Sequence, residues 1–235
     1  MTNILFIAYY FPPIGGVAVQ RSLKFIRYLP QEGYLPLVIT GPAGPSDGWW
    51  TPYDPTLLDE IPSNIPIHRV NNSLPFPKKG WWHRINRWVG LHRSFSESWI
   101  PSATKLSEEV CHKENPRLIF ATMSPFESAN IAVYLSNKLR IPWVADLRDP
   151  WALGELRIYP TFVHRNIELK RMGKLLSSAS IIVMNTPEAA SSLKINFPDL
   201  SDNNIVTITN GYDDDDFKDT ILPRKVIIIF HYDIF

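Results

Sequence analysis

Short apolar runs alternate along the chain with segments in which apolar residues recur at helical spacing. Ile4 to Ala8 and Leu37 to Ile39 are unbroken apolar runs, which are typical of parallel strands buried on both faces. Between them, apolar residues follow one face of a helix, at Val19, Leu23, Ile26 and Leu29. Gly33 is a plausible stop signal for this helix. The pattern predicts a strand, a loop, a helix and a second parallel strand.

The alternation lapses after residue 40 and resumes at residue 102. Further strands are predicted at 65–70, 118–121, 142–145, 181–184 and 205–208, and helices at 103–114 and 161–176. Ser124, Pro125 and Glu127 have the spacing of a capping box, so a helix is expected from Ser124, with Ile131, Tyr134, Leu135 and Leu139 facing inward. Thr186 is expected to be the N-cap of a last helix. The fold class is therefore α/β, a Rossmann-like parallel sheet with helices on both faces.

The loop after the first strand is the first candidate site. Pro12 and Pro13 force an extended turn, and Gly15 and Gly16 remove side chains where the backbone passes close to something. Free amides and the helix dipole there favour an anion, with Arg21 on the polar face of the helix. The pair of glycines also suits plain helix–strand packing. Neither the dinucleotide fingerprint nor the P-loop pattern is present.

The turn from Asp146 to Trp151 brings three charged side chains together within four residues. Asp146, Arg148 and Asp149 follow a predicted strand, and two carboxylates with a guanidinium can bind hydroxyls and phosphate together. A structural ion pair of Arg148 with either carboxylate is the alternative. The carboxyl ends of parallel strands share one edge, so Ser124 and Asn210 are candidates to line the same cleft. Ser124 as a helix cap and Asn210 as a turn residue are their ordinary roles.

A basic, aromatic segment interrupts the regular pattern at about residues 41–101. Six of the eight tryptophans fall within it, and no acidic residue occurs from Ile61 to Ser96. Such a combination suits anionic lipid headgroups or a phosphate-bearing lipid-linked acceptor. Packing of an insertion over the sheet, with solvated cations, is the alternative. The candidate residues of this basic–aromatic patch are Lys78, Lys79, Trp81, Trp82, Arg84 and Arg87.

Composition narrows the class of protein. The 235 residues are 45% hydrophobic and 20% charged, as in a globular protein with a sizeable core, and a formal net charge of +1 argues against nucleic acid. Cys111 is the only cysteine, which suits a reducing compartment. With no signal-peptide pattern at the start, a cytoplasmic location is expected, extending to the inner face of the plasma membrane. The run Asp213–Asp216 reads as a solvated loop, and no metal or cofactor is expected.

Three strings carry a resemblance to a known family. These are Tyr-Phe-Pro-Pro-Ile-Gly-Gly at 10–16, Asp-Leu-Arg-Asp-Pro-Trp at 146–151 and Asn-Gly-Tyr-Asp at 210–213. Together they resemble the N-terminal, acceptor-side domain of family 4 glycosyltransferases, which have the GT-B fold. The resemblance covers residues 3 to 217 and implies a domain at 1–217, with 218–235 as a linker and the start of a second domain. The family's pair of glutamates separated by seven residues is absent, as is the histidine that other branches carry near the strand ending at Asp146.

The resemblance implies a retaining enzyme that moves a sugar from a nucleotide donor to a cell-envelope polysaccharide or glycolipid. Gly15 and Gly16 would then let the backbone approach the donor phosphate or the transferred sugar, with Arg21 supporting the anion. Asp146, Arg148 and Asp149 would orient sugar hydroxyls. Because the family's donor-side domain is not represented, this chain alone is expected to be inactive. The alternative is a non-catalytic module that binds an acceptor or a membrane and works with a separate donor-binding partner. A nucleotide-sugar epimerase is disfavoured, since the glycine fingerprint is missing.

Overall fold

The computed structural model describes residues 1–43, 52–70, 81, 99–123, 125–154, 158–200 and 204–218. Within these residues lies a seven-stranded parallel sheet in the order β3-β2-β1-β4-β5-β6-β7. The order reverses direction between β1 and β4, which is the hallmark of a doubly wound fold. The strands are β1 Thr2–Ala8, β2 Tyr34–Thr40, β3 Ile67–Arg69, β4 Leu118–Thr122, β5 Trp143–Leu147, β6 Ile181–Met184 and β7 Ile205–Thr207. The predicted parallel α/β sheet is confirmed.

Helices cover both faces of this sheet, because each interior strand is apolar on both sides. Along β1, Leu5 and Ile7 belong to the core cluster on one face, and Phe6 and Ala8 pack with Ile26 on the opposite face. The helices are α1 Val17–Tyr28, α2 Ile100–Glu114, α3 Ser128–Leu139, α4 Phe162–Leu176 and α5 Pro187–Asn196.

The predicted start of α3 is wrong. The helix begins at Ser128, and Glu127 occupies the N-cap position without a side-chain hydrogen bond, so there is no capping box. Residues 125–127 form a turn instead, in which the Pro125 carbonyl accepts from the Ser128 amide at 3.2 Å. Tyr134 is 44% exposed and does not face inward, whereas Ile131 and Leu135 are buried as expected. Ser124 itself lies outside the described residues.

One other boundary differs from expectation and one agrees with it. Strand β5 runs to Leu147, so Asp146 belongs to the strand and not to the turn that follows it. The Thr186 N-cap is confirmed, because its hydroxyl accepts from the Ala189 amide at 3.1 Å.

Of the basic–aromatic patch, Trp81 is among the described residues, and it is exposed. The other five patch residues lie outside the described part of the chain, as do residues 219–235.

Candidate active site at the carboxyl edge of the sheet

Arg21 and Asp146 form a buried ion pair at the carboxyl edge of the sheet. The Arg21 Nη2 lies 2.8 Å from Asp146 Oδ1, and Nε lies 3.1 and 3.2 Å from Oδ1 and Oδ2. Asp146 is fully buried, and only 8% of the Arg21 side chain is exposed. The pair joins α1 to the end of β5 across 125 residues of sequence. Both oxygens of Asp146 are thus occupied by the guanidinium.

The remaining Arg21 nitrogen holds the segment that follows β7. Nη1 donates to the Thr209 carbonyl and to Asn210 Oδ1, each at 3.3 Å. Asn210 is fixed from its other side as well, since its amide donates to Asn185 Oδ1 at 2.9 Å. Arg21 therefore ties three elements together at this edge: α1, β5 and the chain after β7.

Arg148 is a second cation at the same edge, and its partner is the backbone. Its Nη1 donates to the Ala18 carbonyl in the first turn of α1 at 2.5 Å, whereas the carboxylate of Asp146 is taken by Arg21. Its Nε is buried and has no hydrogen-bond partner in the described residues. Burial lowers the pKa of Arg148, and the nearby carboxylates of Asp149 and Asp146 act against this shift. Asp149 itself is exposed.

The glycine loop packs against another part of the same chain. The Gly15 amide donates to the Pro52 carbonyl at 2.8 Å, and the Asp54 amide donates to the Pro13 carbonyl at 2.8 Å. A Cβ added to Gly15 would lie 3.1 Å from the Asp54 Cβ, so a close backbone approach is indeed required here. Gly16 has φ of +85° and is the N-cap of α1, without a side chain to cap the first amides of the helix.

Thr122, expected from the sequence to line the site, and Arg69, which the sequence did not single out as a site residue, are further polar residues of this edge. Arg69 ends β3 and donates to the Pro12 carbonyl, while its Nη1 is buried without a hydrogen-bond partner in the described residues. Thr122 ends β4 beside Asp146, and its hydroxyl is likewise buried and unpartnered there. Their position was a usable signal, because each polar residue closes an apolar strand at the edge where ligands bind.

Aromatic side chains pack together in the core near this edge of the sheet. Phe126 stacks on Trp151 with ring centroids 4.7 Å apart and planes 3° from parallel. Trp151 is held by Glu168 of α4, whose carboxylate accepts from the indole nitrogen at 3.0 Å. Tyr9 makes edge-on contacts with Tyr10 and Trp99.

An acidic strap, residues 213–216, lies along the polar face of α1. Asp214, Asp215 and Asp216 are exposed, as expected of a solvated segment, and they belong to a short 3-10 turn, Asp214–Phe217. Lys24 pairs with Asp213 at 3.1 Å, Asp216 at 2.6 Å and Glu60 at 2.7 Å, and Arg27 pairs with Asp215 at 2.8 Å. The Tyr28 hydroxyl donates to Asp213 at 2.7 Å and, with Lys24 close by, lowers the pKa of Asp213 to about 2. Burial alone would lower the pKa of Lys24, but its bonds to Asp216, Glu60 and Asp213 raise it.

Neither a metal cluster nor a spanning helix occurs in the part of the chain that the structure describes. No group of three or more His, Cys, Asp or Glu residues is arranged there to hold a metal ion. None of the described helices combines the length and apolar character needed to cross a bilayer.

Comparison with known proteins identifies the fold. No protein-family model matches the chain, and no curated protein does. Among solved structures, Anabaena Alr3699/HepE in complex with UDP and glucose is 18% identical, with a TM-score of 0.56 over 94% of this chain and 47% of its own. Sucrose-phosphate synthase from Thermosynechococcus elongatus is 12% identical, with a TM-score of 0.61 over 91% of this chain and 49% of its own.

A plant enzyme extends the likeness. Phytolacca americana UGT2, complexed with UDP-2-fluoro-glucose and pterostilbene, is 13% identical, with a TM-score of 0.55 over 89% of this chain and 54% of its own. The chain thus spans about half the length of the structures it matches. At these identities the likeness shows the fold and not family 4 in particular. The architecture of this chain is that of one half of a GT-B glycosyltransferase.

Proposed function

We propose that this chain is the acceptor-side half of a glycosyltransferase. It would move a sugar from a nucleotide sugar to a saccharide or lipid-linked acceptor of the cell envelope, with retention of configuration, as the resemblance to family 4 implies. One observation carries the proposal: on a GT-B half, the glycine loop, Arg21, Asp146, Arg148 and Asn210 meet at one edge of the sheet. The similar structures with UDP or a UDP-sugar bound support the choice of donor class.

The first turn of α1 is the proposed contact for the donor diphosphate. Its amides have no side-chain cap, and Arg148, which donates to the Ala18 carbonyl, lies against the same turn. Helix N-termini and guanidinium groups both favour phosphate. The diphosphate leaves when the sugar C1–O bond breaks, so stabilising its charge favours the transfer.

Asp149 and Asp146 are assigned different roles. Asp149 is exposed and is the group we assign to the sugar or acceptor hydroxyls. Asp146 is enclosed by Arg21, and we infer that both act as positioning residues for α1 and Asn210. The acceptor oxygen forms the new bond to C1, and its proton passes to the oxygen of the departing diphosphate. No metal or organic cofactor enters this scheme.

Calorimetry with uridine, guanosine and adenosine diphosphate sugars tests the half-enzyme assignment. One wall of a cleft supplies only a few hydrogen bonds, each worth about 0.5–1.5 kcal/mol net. Several of these hardly exceed the roughly 4 kcal/mol that corresponds to millimolar binding. We therefore expect millimolar or weaker affinity and no transfer by the chain alone. Micromolar binding would contradict the assignment, because it requires a complete donor site within these residues.

Amide NMR with the same nucleotide sugars at millimolar concentration locates the weak contact. We expect the amide signals of Gly16, Val17 and Ala18 to shift, and the shift to be lost in Arg148→Gln. Lys105→Gln on α2 is the matched control and should leave it unchanged. Shifts confined to other surfaces, or none at all, would rule out the phosphate contact and leave a non-catalytic module as the better description.

The basic–aromatic patch remains part of the proposal as an acceptor or membrane contact at the inner face of the plasma membrane. Exposed cations near an anionic surface contribute on the order of 1 kcal/mol each, and salt screens this attraction. We expect the chain to sediment with phosphatidylglycerol vesicles at low salt. Replacing Lys78, Lys79, Arg84 and Arg87 by Gln should reduce this binding strongly. Unchanged sedimentation of that variant would contradict membrane binding by the patch and would favour a role in packing.

A further inference from the structure

The beginning of α4 exposes a group of large apolar side chains. Ile158 is 93% exposed, Phe162 77%, Val163 49% and Ile167 50%. The opposite side of the helix behaves normally, since Met172 and Leu176 are fully buried in the core. Ile158 lies four residues before the helix, and Val163 and Ile167 lie about one turn apart on it. Exposed apolar residues that lie together on a surface mark an interaction site more often than scattered ones do.

Two lysines continue this surface along the helix. At 100° per residue, Val163, Ile167, Lys170 and Lys174 fall within an arc of about 60° on the side away from the core. Within the described residues, no carboxylate lies within ion-pair distance of Lys170 or Lys174. The single acidic residue of the helix, Glu168, is engaged by Trp151 and lies 3.6 Å from Arg171. The helix carries four arginines and lysines against this one carboxylate.

We propose that this α4 surface, Ile158, Phe162, Val163, Ile167, Lys170 and Lys174, binds an anionic membrane surface. The apolar residues of the first turns enter the headgroup–acyl boundary, and the lysines contact lipid phosphates. The rise of a helix places the two lysines about 10 and 16 Å from Val163 along its axis, so the helix meets the membrane with its first turns lowest. Long lysine side chains reach headgroups from such a position.

Charge favours a membrane over a second copy of the chain. A two-fold pairing of this surface would set its lysines against the lysines or the apolar residues of the other copy. No carboxylate of the described α4 surface would compensate them, and buried cations without partners are costly. An anionic lipid surface suits both parts of the helix, because the apolar first turns can enter the bilayer and the lysines can contact lipid phosphates. The proposal stands apart from the proposed catalytic function, because no residue of the α4 surface belongs to the carboxyl-edge site.

Vesicle sedimentation of the full chain tests the role of the lysines. A surface cation contributes roughly fivefold to binding of an anionic bilayer, so Lys170→Gln with Lys174→Gln should weaken binding to phosphatidylglycerol vesicles by about 30-fold. The matched control is Lys105→Gln with Lys113→Gln, which removes the same charge from α2 and should bind like the wild type. Equal losses of vesicle binding in the two double variants would show that only the net charge of the chain matters, and this would overturn the proposal.

A fluorescent label reports insertion of the apolar end. The single natural cysteine, Cys111, is buried, and burial raises the pKa of its thiol to about 11, so a label goes to an introduced cysteine. An environment-sensitive dye at Val163→Cys should shift to the blue with anionic vesicles. The same dye at Gln31→Cys, an exposed position on the α1 side, should not shift.

The two experiments separate the alternatives. A blue shift at Val163→Cys without vesicles, together with a doubled mass in sedimentation equilibrium, would show self-association and overturn the membrane assignment. No shift with vesicles that bind the chain would also overturn it, and would assign binding to the basic–aromatic patch. Neither outcome bears on nucleotide-sugar binding, which is measured without lipid.

Discussion

Arg21 shows how one side chain can organise a whole edge of a sheet. Its planar guanidinium presents several donors in fixed directions, and here they reach Asp146, the Thr209 carbonyl and Asn210 at once. A lysine at this position would offer one point charge and could not span the three. The spacing in the sequence pointed to Arg21 and Asp146 as site residues, but nothing in it indicated that each is the other's partner.

Removing one partner of this pair should destabilise the protein. Asp146→Ala leaves a guanidinium uncompensated in a buried position, and we expect the free energy of unfolding to fall by about 3 kcal/mol. Denaturant titration followed by circular dichroism measures this change. Asp149→Ala, at an exposed carboxylate three residues later, is the control and should cost less than about 0.5 kcal/mol. Equal losses of unfolding free energy in the two variants would mean that the buried ion pair contributes no more to stability than the exposed carboxylate does.

At the scale of elements, α1 is held from two sides. Its apolar residues pack on β1 and β2, while its polar face is covered by the acidic strap that follows β7. The periodicity of α1 predicted both faces. That the cations would be neutralised by residues about 190 positions later could not be predicted, because helical spacing says which residues share a face and not what covers that face.

The strap should make stability depend on pH in the acid range. The pKa of Asp213 is about 2 in the folded chain and 3.8 for an ordinary aspartate. A lowered folded pKa contributes stability that is fully present above the unfolded value and is lost as the pH falls through the folded one. The stability difference between wild type and Asp213→Asn should therefore shrink as the pH falls from 3.8 to about 2.

Guanidinium unfolding at a series of pH values measures this difference. Asp214→Asn is the control, since Asp214 is exposed and its neighbours in the strap make the ion pairs. We expect the Asp214 variant to follow the wild type across the range. A constant difference between wild type and Asp213→Asn down to the lowest pH would show that the lost stability has another origin.

At the scale of the whole molecule, the sheet has a protected interior and short edges. β1, β4 and β5 lie between neighbours on both sides, whereas β3 and β7 are three residues long and close the sheet. Local opening should follow this gradient. In native-state amide exchange we expect the slowest amides in β1, β4 and β5 and the fastest strand amides in β3 and β7. Protection of Val206 equal to that of Phe120 would contradict it.

The sequence alone was sufficient for the class of fold and for the strands, and it predicted that the candidate site residues share one edge of the sheet. Unbroken apolar runs and helical spacing are local patterns, and parallel strands necessarily place their following loops at one edge, which is why the glycine loop and the turn after Asp146 were expected together. Only the tertiary structure decided which side chains meet there. The partners of Arg21, the cover on α1 and the exposed apolar start of α4 all depend on contacts between distant segments, and such contacts leave no periodic trace in the chain.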